Sequence, residues 1–184
     1  MEDLESERRR FTAELIKYES TFDEETPFKK RFLELLKDED AFERTHLPGH
    51  ITGSAFIVSE DLTQTLLVLH GKLNKWLQPG GHADGDTQVS RVALREANEE
   101  TGIQQLTLLT PEIFDLDIHP IPARKDFPVH DHYDVRFVVK ASLRESIIVS
   151  EESHDVRWIP LRDLEKFNNE KSILRMRDKL LMRR

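Results

Sequence analysis

Apolar residues recur along this chain with two different periods, and the change of period divides it. In the first stretch, Phe11, Leu15 and Tyr18 recur at helical spacing. In TPFKKRFLELL, Phe28, Phe32, Leu35 and Leu36 fall on one side, with Thr26 placed as an N-cap and Pro27 at the first helical position. The pattern predicts two or three short helices, which HLPGH then interrupts. Beyond it, ITGSAFIVS, TQTLLVLH, LTLLT, IFDLDIH and YDVRFVVKAS read as strands. A last charged helix near Lys171 to Met182 carries Ile173, Leu174, Leu180 and Leu181. We therefore expect a helical N-terminal extension over 1–48 and an α/β domain with a C-terminal helix over 49–184.

Between the strands lies GGHADGDTQVSRVALREANEETGI, Gly80 to Ile103. Its helical reading starts near two candidate N-caps, Asp86 and Thr87, and stops at Gly102. Val89, Val92 and Ala93 stand on or near the face of Glu96, while Leu94, Ala97 and Thr101 lie opposite. Such a helix packs between two layers. Glu96, Glu99 and Glu100 then project from nearly one face in the last turn, where the helix dipole disfavours negative charge. A solvated acidic surface is the plainer account of EANEE taken alone. The flanking glycines and the packed faces argue instead for a partly desolvated group that needs a cation, and Arg95 cannot neutralise three acids. A hard divalent ion, Mg²⁺ or Mn²⁺, meets that need through oxygen ligands, and such an ion also binds phosphate oxygens.

The same segment resembles the signature of the Nudix hydrolases. Gly81, Arg95, Glu96, Ala97, Glu99, Glu100, Gly102 and Ile103 fall in its positions, and one position departs, with Thr87 where the family has its first glutamate. LLVLHGKLNKWLQPGG before it and SEESHDVRWIPLRDL after it are similar to the family's flanking segments, so the likeness spans about residues 50–168. The resemblance implies a Nudix α/β/α sandwich with a mixed sheet. It implies that Glu99 and Glu100 hold metal, with Glu96 a ligand or a supporting acid and the carbonyl of Gly81 or Gly80 a further ligand. Arg95 would orient the acids by ion pairing. The general base would be a box glutamate such as Glu99 or a late-loop acid, for which Glu152 stands in place and Glu151 is the alternate. Asp84 or Asp86 is expected to take over from the glutamate missing at Thr87.

HDHYDVRF adds a second set. His130, His132, Asp134 and Arg136 alternate with Tyr133, Val135 and Phe137 and so share one sheet face. His82 and His119 are near enough in the predicted order of elements to join them. One reading makes His82, His130, His132 and Asp134 substrate contacts, with His130 and His132 protonated on phosphate; another makes this an outward polar face of an antiparallel pair; a second metal is disfavoured against substrate contact, because zinc sites normally show more clustered Cys or His ligands.

Composition narrows the function further. Among 184 residues, 35 acids against 27 bases give a net charge of −8, which argues against broad binding to nucleic-acid backbone and leaves RNA 5′ ends as the one nucleic-acid partner considered. The absence of cysteine excludes disulfides and thiol catalysis, including the cysteine-dependent isopentenyl diphosphate isomerases of the same family. No apolar run is long enough to span a membrane, and MEDLESERRR lacks the apolar core of a signal peptide, so a cytoplasmic enzyme is expected. The apolar sides of the N-terminal helices suggest a homodimer contact or a cover over one end of the site. The expected activity is metal-dependent hydrolysis of a phosphoanhydride bond in a nucleoside diphosphate linked to another moiety. The alternatives are a nucleoside triphosphate pyrophosphohydrolase and a non-catalytic domain that senses a nucleotide.

Overall fold

The computed structural model describes residues 4–125 and 127–183. Helices α1 (Leu4–Lys17) and α2 (Glu25–Leu35) precede the strands β1 (Gly49–Ser59), β2 (Gln64–His70), β3 (Lys75–Leu77) and β4 (Gly80–His82). Helix α3 (Val89–Thr101) follows. The chain continues through β5 (Thr107–Leu108), β6 (Asp115–Ile121), β7 (His130–Ala141) and β8 (Ser153–Pro160) to a 3₁₀ turn (Leu161–Lys166) and α4 (Lys171–Met182). Two starts differ from expectation. Helix α2 begins at Glu25, so Thr26 does not cap it and Pro27 lies inside its first turn, where a missing N–H is harmless. Helix α3 begins at Val89 after Gln88, and neither Asp86 nor Thr87 is its N-cap.

The strands form one mixed sheet. β1 runs parallel to β7 along its whole length, from Gly49 opposite Asp131 to Ser59 opposite Ala141. The pairings of β1 with β2 and β4, of β2 with β3 and β8, and of β7 with β5 and β6 are antiparallel. β1 is buried at every position because both of its faces are covered.

Alternation along β1 and β7 separates the two cores. One face presents Ile51, Ala55, Ile57, Tyr133, Val135 and Phe137 to α3 and to the N-terminal helices, whose Phe11, Leu15, Phe32, Leu35 and Leu36 belong to the same apolar cluster. The other face presents Phe56, Val58 and Val138 to Leu161, Leu164, Ile173, Met176 and Leu180. The apolar sides of α1 and α2 are thus covered within the chain itself.

The second face is apolar only at one end. Past Phe56 and Val138 it becomes polar, with Ser54, Thr52 and His50 on β1 opposite Arg136, Asp134 and His132 on β7. β6 adds Asp115, Asp117 and His119 in register with those β7 residues. Arg136 is buried among three carboxylates, 2.7 Å from Asp134, 3.0 Å from Asp117 and 3.2 Å from Asp115. Arg175 and Lys179 of α4 reach Asp115 at 2.7 and 2.9 Å, and Lys179 also meets Glu25 of α2 at 2.6 Å. Buried charges on this scale hold only when each is matched, and here the matching ties the N-terminal segment, β6, β7 and α4 together.

Candidate active site

The last turn of α3 packs beside the glycine turn of β4. The Gly80 N–H donates a 2.8 Å hydrogen bond to Oε1 of Glu100. At Gly81 a Cβ would stand 2.5 Å from the carboxyl carbon of Glu96, so only glycine lets the backbone approach this acid. Gly102 ends the helix with φ at 72°, in the left-handed region, and its N–H closes on the Asn98 carbonyl.

Arg95 holds the acids as its spacing suggests. Its guanidinium lies 3.0 Å from Oε1 of Glu96 and 3.8 Å from Oε2 of Glu99, and it donates to the His82 carbonyl at 3.0 Å. One cation does not balance the group. Burial pushes the Glu100 carboxyl up to about 7, against the Gly80 hydrogen bond and with help from Glu96, Glu152 and Glu99. Burial also raises Glu96; Arg95 opposes the shift, while Glu99, Asp84 and Glu152 add to it. Glu152, in the exposed loop before β8, is therefore close enough to act on both helix acids. A desolvated carboxylate set with too little positive charge is what a hard divalent ion fits.

Neither aspartate expected to replace the missing box glutamate is free for that role. Asp84 is held by both guanidinium arms of Arg44, at 2.5 Å from Nε on one side. Asp86 accepts from the Gln88 N–H at 2.9 Å and from Arg91 at 2.6 and 2.7 Å. The carboxylate at Thr87 comes from α1. Thr87 donates to Oε2 of Glu7 at 3.0 Å, and Gln88 Nε2 donates to Oε1 at 2.5 Å. Glu7, Phe11 and Leu15 are four residues apart in sequence, so a continued helical stripe is the signal that places Glu7 on the inward face.

The histidines gather on the opposite side of β4. The ring of His82 is 5.1 Å from that of His50 and 5.0 Å from that of His132; His130 is 4.9 Å from His50 and 5.2 Å from His132. His119 lies 5.5 Å from His132. The outward polar face is thus largely a buried one, with His130, Asp134 and Arg136 all shielded from solvent. Sequence reasoning missed His50, whose signal is the polar alternation of His50, Thr52 and Ser54 in an otherwise apolar strand. Burial, with neighbouring ring charges adding to it, holds His132 down to about 2; burial followed by the charge of Arg44 holds His82 down to about 4. Both shifts favour the neutral ring, which for His132 runs against the expectation of a protonated ring on phosphate. Asp134 orients no ring. It accepts from Ser54 at 2.7 Å, Thr52 at 3.1 Å and Arg136 at 2.7 Å.

A glycine turn against a helix end bearing Arg95, Glu96, Glu99 and Glu100, on a mixed sheet between helical layers, is the arrangement implied by the sequence signature. The family model for the NUDIX domain matches residues 48–180. The chain belongs to the NUDIX family. An Ap4A hydrolase of C. elegans is similar over 72% of this chain and 95% of its own length, with 19% identity and a TM-score of 0.58. A NUDIX family hydrolase from Clostridium perfringens has 23% identity over 73% of this chain and 98% of its own, with a TM-score of 0.57. The NUDIX domain of Shewanella oneidensis NrtR, complexed with ADP ribose, covers 72% of this chain and 86% of its own at 20% identity, with a TM-score of 0.52. At these identities the structural likeness speaks for the fold. No curated protein matches as a relative. Among the described residues no helix is long and apolar enough to cross a membrane.

Proposed function

We propose that this NUDIX domain hydrolyses a phosphoanhydride bond in a nucleoside diphosphate linked to another moiety, with Mg²⁺ or Mn²⁺ held by Glu96, Glu99, Glu100 and the carbonyl of Gly81. The observation that carries the reading is the under-neutralised carboxylate set, with Glu100 pushed up to about 7 by burial while its partner Gly80 pulls the other way. When bound, the divalent ion withdraws charge from the phosphoryl oxygens and favours departure of the leaving phosphate. Arg95 keeps Glu96 and Glu99 in place and leaves the substrate untouched. The Glu152 carboxylate takes a proton from the attacking water as its oxygen bonds to phosphorus and the anhydride P–O bond breaks.

His82, His130 and His132 provide the substrate-facing surface next to the glycine turn. Imidazole rings placed there can stack and can make single hydrogen bonds. Asp134 supports that surface indirectly, by fixing Thr52, Ser54 and Arg136. The presence of Glu7 at Thr87 removes the main reason to read the departure from the box as a sign of a sensing domain.

The test is a phosphate-release screen over nucleotide sugars, dinucleoside polyphosphates, nucleoside triphosphates and capped RNA ends, with and without Mg²⁺ or Mn²⁺. Metal-dependent turnover of a diphosphate-linked substrate, lost in Glu100→Gln, is expected. Release of pyrophosphate from triphosphates alone would replace the substrate class. No turnover of any substrate by the native chain would overturn the reading.

A further inference from the structure

The carboxylate site explains half of the polar chemistry around β4. Along β4 the side-chain directions alternate: a Cβ at Gly81 would face Glu96, whereas one at Gly80 would meet the Ser54 side chain. His82 therefore points with Ser54 toward the sheet face that carries His50, His130 and His132.

Crowded imidazoles normally satisfy one another, because a neutral ring has one donor and one acceptor nitrogen. Here they do not. Nε2 of His50 and Nε2 of His132 are both buried without a hydrogen-bond partner. His50 is 1% exposed and His130 9%. One ligand-capable ring nitrogen from each of His50, His130 and His132 lies within 4.8 Å of the other two.

On two of the three rings the other nitrogen is already engaged. Nδ1 of His130 is 2.9 Å from the Pro128 carbonyl, and Nδ1 of His50 is 3.3 Å from the His46 carbonyl. A carbonyl only accepts, so on both rings Nδ1 is the donor and Nε2 is the nitrogen left for a ligand. A backbone acceptor on the far nitrogen is the usual support of a histidine that ligates a metal.

We propose that His50, His130 and His132 bind a divalent transition-metal ion of the Zn²⁺ class, separate from the hard ion of the glutamates. Imidazole suits zinc, copper and nickel, whereas Mg²⁺ takes oxygen ligands. Zn–N bonds of about 2.0–2.1 Å put tetrahedral ligands about 3.4 Å apart, so the rings close by about an ångström on binding, a change within reach of side-chain rotation. Three imidazoles leave a coordination position open, as in catalytic rather than structural zinc sites. That position is available to the His82 ring or to an oxygen ligand. The assignment stands on ring geometry and does not depend on the hydrolase reading.

The experiment is equilibrium dialysis of the full-length, metal-stripped protein against Zn²⁺ in excess Mg²⁺, for the native chain, Glu99→Gln/Glu100→Gln and His130→Ala/His132→Ala. One Zn²⁺ per chain is expected in the native protein and in the glutamate variant, with affinity at least about a hundredfold weaker in the histidine variant. Zinc lost in the glutamate variant and kept in the histidine variant, or no zinc retained by the native chain, would overturn the proposal. X-ray absorption of the native protein at one equivalent of Zn²⁺ reads the ligands without any substitution. A shell with about three imidazoles supports the site, and an oxygen-only shell refutes it even if the histidine variant fails to fold.

Discussion

The Thr87 hydroxyl donates a 3.0 Å hydrogen bond to Glu7, so a carboxylate from the first helix stands beside the position where the NUDIX signature has its own. Thr87 is 6% exposed, which leaves little room for a second acid next to the first. Thr87→Glu alone should lower the melting temperature through like-charge repulsion. Glu7→Ala alone should raise the Mg²⁺ concentration needed for half-maximal rate severalfold. The double variant should recover much of both losses. A double-mutant cycle on melting temperature and Mg²⁺ activation checks this, and strictly additive effects would show that the two positions act independently.

Glu99→Gln and Glu100→Gln should each lower kcat by about a thousandfold with the fold retained, because each takes charge from the group that stabilises the transition state. Glu152→Gln should lower kcat by about a hundredfold or more while leaving metal affinity near native, as expected for a proton acceptor. Circular dichroism, metal titration and steady-state rates separate these outcomes. Near-normal turnover in both box variants would remove the metal assignment.

Glu100 gives the site a pH dependence whose sign is fixed. Its folded value, about 7, lies above the ordinary 4.5 because burial disfavours the charged form. The metal-free fold therefore carries no penalty from this group below the ordinary value, and the penalty grows as pH rises through 4.5 to 7 and is full above that. A bound divalent ion offsets it. The rise in melting temperature on adding Mg²⁺ should be larger at pH 8 than at pH 5.5, and below 7 the Mg²⁺ affinity should fall by up to about tenfold per pH unit. Thermal melts with and without Mg²⁺ measure both, and Glu100→Gln should flatten the dependence.

Arg136 lies within 3.2 Å of three carboxylates and is almost wholly buried. Arg136→Met keeps the volume and strands those acids, so a loss of about 3–5 kcal/mol is expected in denaturant unfolding. Tyr18, Glu25 and Lys179 extend the same network into the N-terminal segment. Deleting residues 1–45 therefore removes Tyr18 and Glu25 from Lys179 and strips Phe11, Leu15 and Phe32 from the core. Loss of the cooperative transition is expected, whatever the oligomeric state. A truncated chain that melts like the native one would show the segment to be dispensable.

Much of the molecule follows from local order in the chain. The box glutamates, Arg95 and Gly102 are bound to one another by helical spacing within a single element, so their shared face is fixed by short-range geometry. The alternation of His130, His132, Asp134 and Arg136 against Tyr133, Val135 and Phe137 is fixed in the same way, as are the bounds of the last helix, Lys171–Met182. What these residues meet is a long-range matter. The parallel pairing of β1 with β7 brings His50 beside His132, and packing turns an apparent surface stripe into a ring cluster in which Nε2 of His50 and Nε2 of His132 are buried without a partner. The packing of α1 against the loop before α3 brings Glu7 to Thr87, while Arg44 and Arg91 take the nearer aspartates. Sequence proximity favours Asp84 and Asp86 for that role, but Arg44 and Arg91 engage both, and only the folded chain decides which acids are paired.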